Sequence, residues 1–284
     1  MELWYTENYT DTVKFSIKVK EQLYTKTSQF QQIDVFDTYE FGKLLTIDGL
    51  VMITEKDEFI YHDMITHVPM ATNPNIKSVL VIGGGDGGTV RELTRYKTIE
   101  KIDMVEIDKV VVDASREHFQ ITACKLDDER VSLYFEDGIK FVEGKENIYD
   151  LIIVDSTDPI GPGEGLFTTE FYRNCYKALT EEGILVNQNE SPYYEADAKE
   201  MIRASKKIKN IFPIAEVYQA HIPTYPSGHW LFGFASKKLH PVKDLDAQKW
   251  NDLGLKTKYY NTDLHVGAFA LPNYVKEMIE TGAF

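Results

Sequence analysis

The chain has 284 residues, 43% hydrophobic and 27% charged, enough for one large domain or a large domain beside a small one. Its 45 acidic and 31 basic side chains leave a formal net charge of −14 at pH 7, which argues against nucleic acid or an anionic membrane as partner and suits cationic small molecules. Cys124 and Cys175 lack CxxC spacing and suggest neither a zinc site nor a disulfide framework. MELWYTENYT has no basic start before an apolar core, and no apolar run reaches membrane-spanning length, so the expectation is a cytoplasmic protein.

Residues 1–53 read as a small antiparallel β domain. Phe15, Ile17 and Val19 alternate with polar residues, and Phe30, Ile33 and Val35 mark a second strand. Lys43–Ile47 and Leu50–Ile53 flank Asp48-Gly49, a dipeptide favoured in two-residue hairpin turns. At residue 54 the period changes. Thr54 and Asp57 suggest a helix cap, and Phe59, Ile60, Met64 and Val68 form a stripe that ends before Pro69.

From Ser78 onward, apolar strands alternate with helices. Val79–Ile82, Ile102–Ile107, Val131–Phe135, Leu151–Val154 and Ile184–Val186 are strand candidates. Gly87–Tyr96, Lys109–Phe119, Thr168–Leu179 and Glu195–Lys209 are helix candidates, followed by a strand at Trp230–Ala235 and a short helix at Asn273–Glu280. That alternation predicts an α/β domain over residues 54–284: a Rossmann-like parallel sheet covered on both faces.

The glycine loop GGGDGG, residues 83–88, follows the first of these strands and opens a helix. Glycines there let backbone approach a nucleotide-like ligand. Asp86 in the turn works against a phosphate or carboxylate and favours a cation. Glu106 ends the next strand, 20 residues after Asp86, where an acid can accept both ribose hydroxyls; this disfavours a 2′-phosphate. Asp137, before Gly138 at the third strand end, is placed to accept from an adenine amine. The fourth strand leads into Asp155-Ser156-Thr157-Asp158-Pro159, setting two more carboxylates beside the nucleoside crevice.

Taken together, GGGDGG at 83–88, DEFIYHDM at 57–64, VEID at 105–108, DDERV at 127–131, VDSTDPIGP at 154–162, LFTTEFY at 166–172 and IPTYPSG at 222–228 resemble the polyamine aminopropyltransferases, the family of the spermidine synthases. The resemblance spans nearly the whole chain. It implies an N-terminal β domain joined to a methyltransferase-like Rossmann domain, assembled as a homodimer or homotetramer. The implied reaction moves the aminopropyl group of decarboxylated S-adenosylmethionine to putrescine, giving spermidine and methylthioadenosine. The donor is then a co-substrate, and neither cofactor nor metal is expected.

By the same resemblance, Asp155 is the proton acceptor and Asp86 holds the donor's aminopropyl ammonium. Gln31, Glu106, Asp137, Gly138 and Pro162 match positions that bind the methylthioadenosine portion, with Gly83 and Gly85 in the loop beneath it. From its own surroundings Gln31 reads only as an exposed strand residue. Asp155, Ser156, Thr157 and Asp158 match the acceptor segment, together with Tyr61, His62, Asp86, Gln188 and Tyr225. Glu164–Phe167, with Gly161, Gly163 and Gly165 around it, is expected to close over the substrates.

Three alternatives stay open on the sequence. An S-adenosylmethionine-dependent methyltransferase shares the core, but Asp86 would repel that donor's carboxylate. A non-catalytic polyamine sensor would not need Asp155. A relative making thermospermine, spermine or an agmatine derivative would share the mechanism and differ in its acceptor.

Overall fold

A computed structural model of the chain describes residues 2–157 and 161–284. Its first sheet holds five antiparallel strands in sequence order: β1 (Leu3–Asn8), β2 (Lys14–Thr27), β3 (Gln32–Thr38), β4 (Lys43–Ile47) and β5 (Leu50–Thr54). Asp48 and Gly49 both take positive φ, 49° and 77°, as the predicted β4–β5 turn requires. Phe30 and Gln31, expected in a strand, lie instead in the turn before β3. The Ser28 hydroxyl accepts their backbone amides at 3.0 and 3.2 Å, a local bond that replaces the sheet ladder.

Helix α1 (Glu58–Thr72) links the two sheets. It departs from the predicted one-sided stripe, since every residue but Phe59 is buried, and it runs through Pro69. The proline falls in the last turn, and the helix closes beyond it with the Asn73 amide on the Pro69 carbonyl at 2.9 Å. Asp57 occupies the N-cap position, but its carboxylate caps no helix amide. It accepts instead from the Thr54 hydroxyl and from the amide and hydroxyl of Thr224.

The second sheet contains β6 (Ser78–Gly83), β7 (Lys101–Val105), β8 (Val131–Tyr134), β9 (Tyr149–Asp155), β10 (Leu179–Gln188), β11 (Ile214–His221) and β12 (His229–Ser236). Their spatial order is β11-β12-β10-β9-β6-β7-β8. The run from β8 to β10 is parallel, whereas β12 is antiparallel to both of its neighbours. The first helices after α1 are α2 (Gly88–Leu93), α3 (Lys109–His118), α4 (Gln120–Ala123) and α5 (Gly138–Val142). A 3-10 segment (Gly161–Phe167) precedes α6 (Thr169–Ala178) and α7 (Glu195–Lys209), and α8 (Ala247–Asp252), α9 (Thr262–Ala268) and α10 (Asn273–Thr281) complete the chain.

Alternation along the central strands explains the two cores. Val79, Val81, Leu151 and Ile153 pack with Met64, Ile65 and Val68 of α1. Leu80, Ile82, Ile152 and Val154, on the other face, pack with Phe171, Tyr172, Ala204 and Ile208 of α6 and α7. The antiparallel sheet lays Ile33, Val35, Leu45 and Ile47 on Val111, Ala114 and Phe119 of α3 and its C-cap. Strand order reverses between β6 and β9, the switch point where an open α/β sheet leaves a crevice at its carboxyl ends.

Candidate active site

A single cavity occupies this crevice, roofed by the first sheet. Gln31, Tyr61, His62, Gly83, Gly85, Asp86, Glu106, Asp137, Gly138, Asp155, Ser156, Thr157, Gln188 and Tyr225 all line it. Asp158 lies outside the described residues, as does the side chain of Pro162.

The floor is the junction of β6 and β9. Gly83 pairs in register with Asp155, and the Gly84 amide donates to the Asp155 carbonyl at 2.8 Å. A Cβ on Gly83 would stand 2.1 Å from that carbonyl oxygen, and its φ of +84° suits only glycine. The approach turns the Asp155 side chain into the cavity. Tyr61 donates to its Oδ1 at 2.7 Å and Thr89 to its Oδ2 at 2.6 Å. Burial and the nearby charge of Asp86 push the Asp155 carboxyl up, against the opposing influence of His62 and these two hydroxyls.

Asp86 accepts the Gly88 amide at 2.8 Å and faces His62 Nε2 at 3.1 Å. His62 is fully buried, and Nε2 lacks hydrogen-bond geometry to any partner. Its other nitrogen, Nδ1, lies 2.6 Å from Glu58, one turn back on α1. Gly88 makes room for the ring: a Cβ there would fall 2.2–2.4 Å from its atoms. One side-chain nitrogen or oxygen from each of His62, Asp86 and Asp155 lies within 4.8 Å of the others.

Glu106 is buried at the β7 end, with Oε1 accepting the Asp108 amide at 2.8 Å. Burial pushes its carboxyl up to about 7, and the charges of Asp108 and Asp155 add to the effect of burial against that amide. Asp137 caps α5, accepting the Ile139 amide at 2.9 Å, while Gly138 closes onto Ile82. Gln31 reaches the cavity because Ser28 donates to Asp108 at 2.6 Å, pinning the β2–β3 turn beside Glu106. Tyr225 is held from two sides: its hydroxyl donates to the Met52 carbonyl at 2.7 Å, and its ring meets Trp230 edge-on. Gln188 donates to Glu190 at 3.0 Å and accepts the Glu190 amide.

Sequence reasoning missed Glu7, Tyr9, Met52 and Trp230, which also line the cavity. Glu7 had a signal: with Tyr5 it forms the buried face of β1, and an acid on an inward strand face calls for a partner. Glu58 and Arg91, behind His62, were missed as well.

Residues 58–246 match the family described as the spermine/spermidine synthase domain, and residues 3–55 match the spermidine synthase tetramerisation domain. A polyamine aminopropyltransferase of Clostridium perfringens is 76% identical over 280 residues, 99% of each chain. One of Clostridioides difficile is 72% identical over 281 residues, again 99% of each. A solved spermidine synthase in complex with the transition-state analogue AdoDATO superposes with a TM-score of 0.96 at 43% identity, covering 98% of this chain and 95% of that one. The spermidine synthase of Thermotoga maritima gives 0.92 at 42% identity, covering 98% and 94%.

Proposed function

This chain belongs to the spermine/spermidine synthase family, and on that premise we propose that it is a spermidine synthase, moving the aminopropyl group of decarboxylated S-adenosylmethionine to putrescine. The observation that carries the reading is the meeting of Asp86 and Asp155 at the floor of the crevice. Two carboxylates there attract cations and repel a donor that keeps its own carboxylate.

In the proposed reaction, Glu106, Asp137 and Gln31 bind the methylthioadenosine portion, with Gly83, Gly85, Gly138 and Pro162 shaping its bed. Asp86 receives the donor's ammonium. Tyr61, His62, Ser156, Thr157, Asp158, Gln188 and Tyr225 surround the acceptor. Holding an alkylamine neutral at pH 7 costs roughly 4–5 kcal/mol against a reference pKa near 10.4. The donor's sulfonium lowers that cost by like-charge repulsion. The upward-shifted Asp155 is a better base than an ordinary carboxylate, which narrows the gap further. The amine nitrogen bonds to the methylene beside sulfur, the C–S bond breaks with its electron pair passing to sulfur, and the amine proton goes to Asp155. Alignment of the lone pair with the C–S bond supplies much of the rate.

An oligomer, a cytoplasmic location and closure of 164–167 over the substrates belong to the same proposal. The deciding assay offers the purified protein decarboxylated S-adenosylmethionine with putrescine, cadaverine, agmatine or spermidine and reads products by mass spectrometry. Spermidine formed fastest from putrescine is expected. Turnover only with another amine changes the acceptor, and no transfer to any amine overturns the reading.

A further inference from the structure

We propose that Glu58 and Arg91 are positioning residues that keep His62 as an imidazolium against Asp86, so that a cationic substrate reaching Asp86 must displace the His62 proton. The name of the substrate, and only that, rests on the reading above.

Neither Glu58 nor Arg91 lines the cavity. They form a chain behind it, Glu58 buried and Arg91 partly so. Arg91 donates through Nη1 and Nη2 to the two Glu58 oxygens at 3.0 and 2.9 Å, and through Nε to Glu92 at 2.9 Å. This two-pronged pairing fixes the Glu58 carboxylate in one orientation. Against burial, His62 and then Arg91 hold that carboxyl well below its usual range, at about 2. Glu58 Oε2 then holds His62 Nδ1, and the ring has no space to swing away because Gly88 closes on it. Nε2, with no hydrogen-bond partner, is left facing Asp86.

The charged and titratable groups around the imidazole are Glu58 from its own helix with Arg91 of α2 behind it, Asp86 from the β6–α2 loop, Asp155 from β9, and the neighbouring Tyr61. Burial opposes charging the ring, but Asp86 and then Glu58 raise it to about 10. With His62 charged, ionised Asp86 and Asp155 offer a substrate one net negative charge instead of two. An arriving ammonium takes over the Asp86 contact, and the imidazolium loses its largest stabilising partner and releases its proton to solvent.

The test uses protein labelled with ¹³C-histidine, the His62 signal being assigned through the His62→Asn variant. In free wild type, His62 should remain imidazolium at pH 7.5, and saturating decarboxylated S-adenosylmethionine, offered without an amine acceptor, should convert it to the neutral form. Calorimetry in buffers of different ionisation enthalpy should find close to one more proton released by wild type than by Glu58→Gln, in which His62 should be neutral before the ligand arrives. A neutral His62 in the free wild-type protein overturns the proposal whether or not the variant folds. Equal proton release in the two proteins also overturns it. If the decarboxylated donor fails to bind, the substrate reading falls, and the free-protein spectra still judge Glu58 and Arg91.

Discussion

In the proposed reading Glu106 accepts two ribose hydroxyls, a role that needs it ionised, and burial pushes its carboxyl up to about 7. Its pKa of about 7 lies above the ordinary 4.5, so between those values the folded state holds a proton that the unfolded state has lost. The unliganded fold therefore loses stability as pH rises through that window, by at most about 3 kcal/mol. Nucleoside binding has the opposite slope. Affinity for methylthioadenosine should rise from pH 5.5 to about 7 and then level off. Glu106→Gln should flatten that profile and weaken binding at pH 8 by roughly 10- to 100-fold. Calorimetry across the range checks both, and a flat wild-type profile would remove Glu106 from the ribose site. Asp155→Asn should lower kcat by about 10²- to 10⁴-fold while donor affinity stays near wild type, as single-turnover and binding measurements would read separately. The acids at the strand ends were legible because Glu106, Asp137 and Asp155 each follow an apolar run that fixes where the strand stops. Glu58 and Glu7 were not, because an acid in a helix or on an alternating strand reads as solvated until its face is known to be buried.

Two staples hold the cavity-lining segments that sit outside the parallel strands. Asp57 gathers Thr54 and Thr224, fastening the loop that bears Tyr225 to the start of α1. Asp57→Ala strips three donors of one buried acceptor and should cost roughly 3 kcal/mol in unfolding free energy, read by denaturant titration. The Ser28–Asp108 bond does the same for the turn that carries Gln31. Ser28→Ala should raise KM for the donor several-fold and leave KM for the amine nearly unchanged; equal rises in both would mean the turn serves the whole cavity. The central strands were readable because strands buried on both faces are continuous apolar runs. β11 was not: its sequence IAEVYQAH mixes polar and apolar residues, and it lies at the sheet edge. Gln31 was misread because a serine hydroxyl two or three residues back, not periodicity, decides the backbone there.

At the scale of the molecule, the cavity exists only because the five-stranded sheet seats on α3 and overhangs the switch point of the other. The first sheet is also where large apolar side chains stay uncovered: Leu3, Trp4, Leu23 and Tyr39 are exposed in the single chain, Trp4 at 54%. A monomer gains nothing from leaving them wet. With residues 3–55 matching a tetramerisation domain, the expected state is an oligomer held by this sheet. Sedimentation of the wild type and of Trp4→Glu checks it: the variant should shift toward smaller species. A wild-type monomer would overturn the expectation. Among the described residues no helix is long and apolar enough to cross a membrane.

The interlock of Gly88 with the His62 ring makes the two positions inheritable only as a pair. Gly88→Ala by itself drives a methyl into a ring that Glu58 will not release, while His62→Ala by itself leaves a hole beside the loop. Each single step costs packing, and the double replacement removes the clash and refills part of the hole without the imidazole. A search for altered acceptor choice that samples one codon at a time would be blocked at this spot, whereas a library varying both codons together could pass.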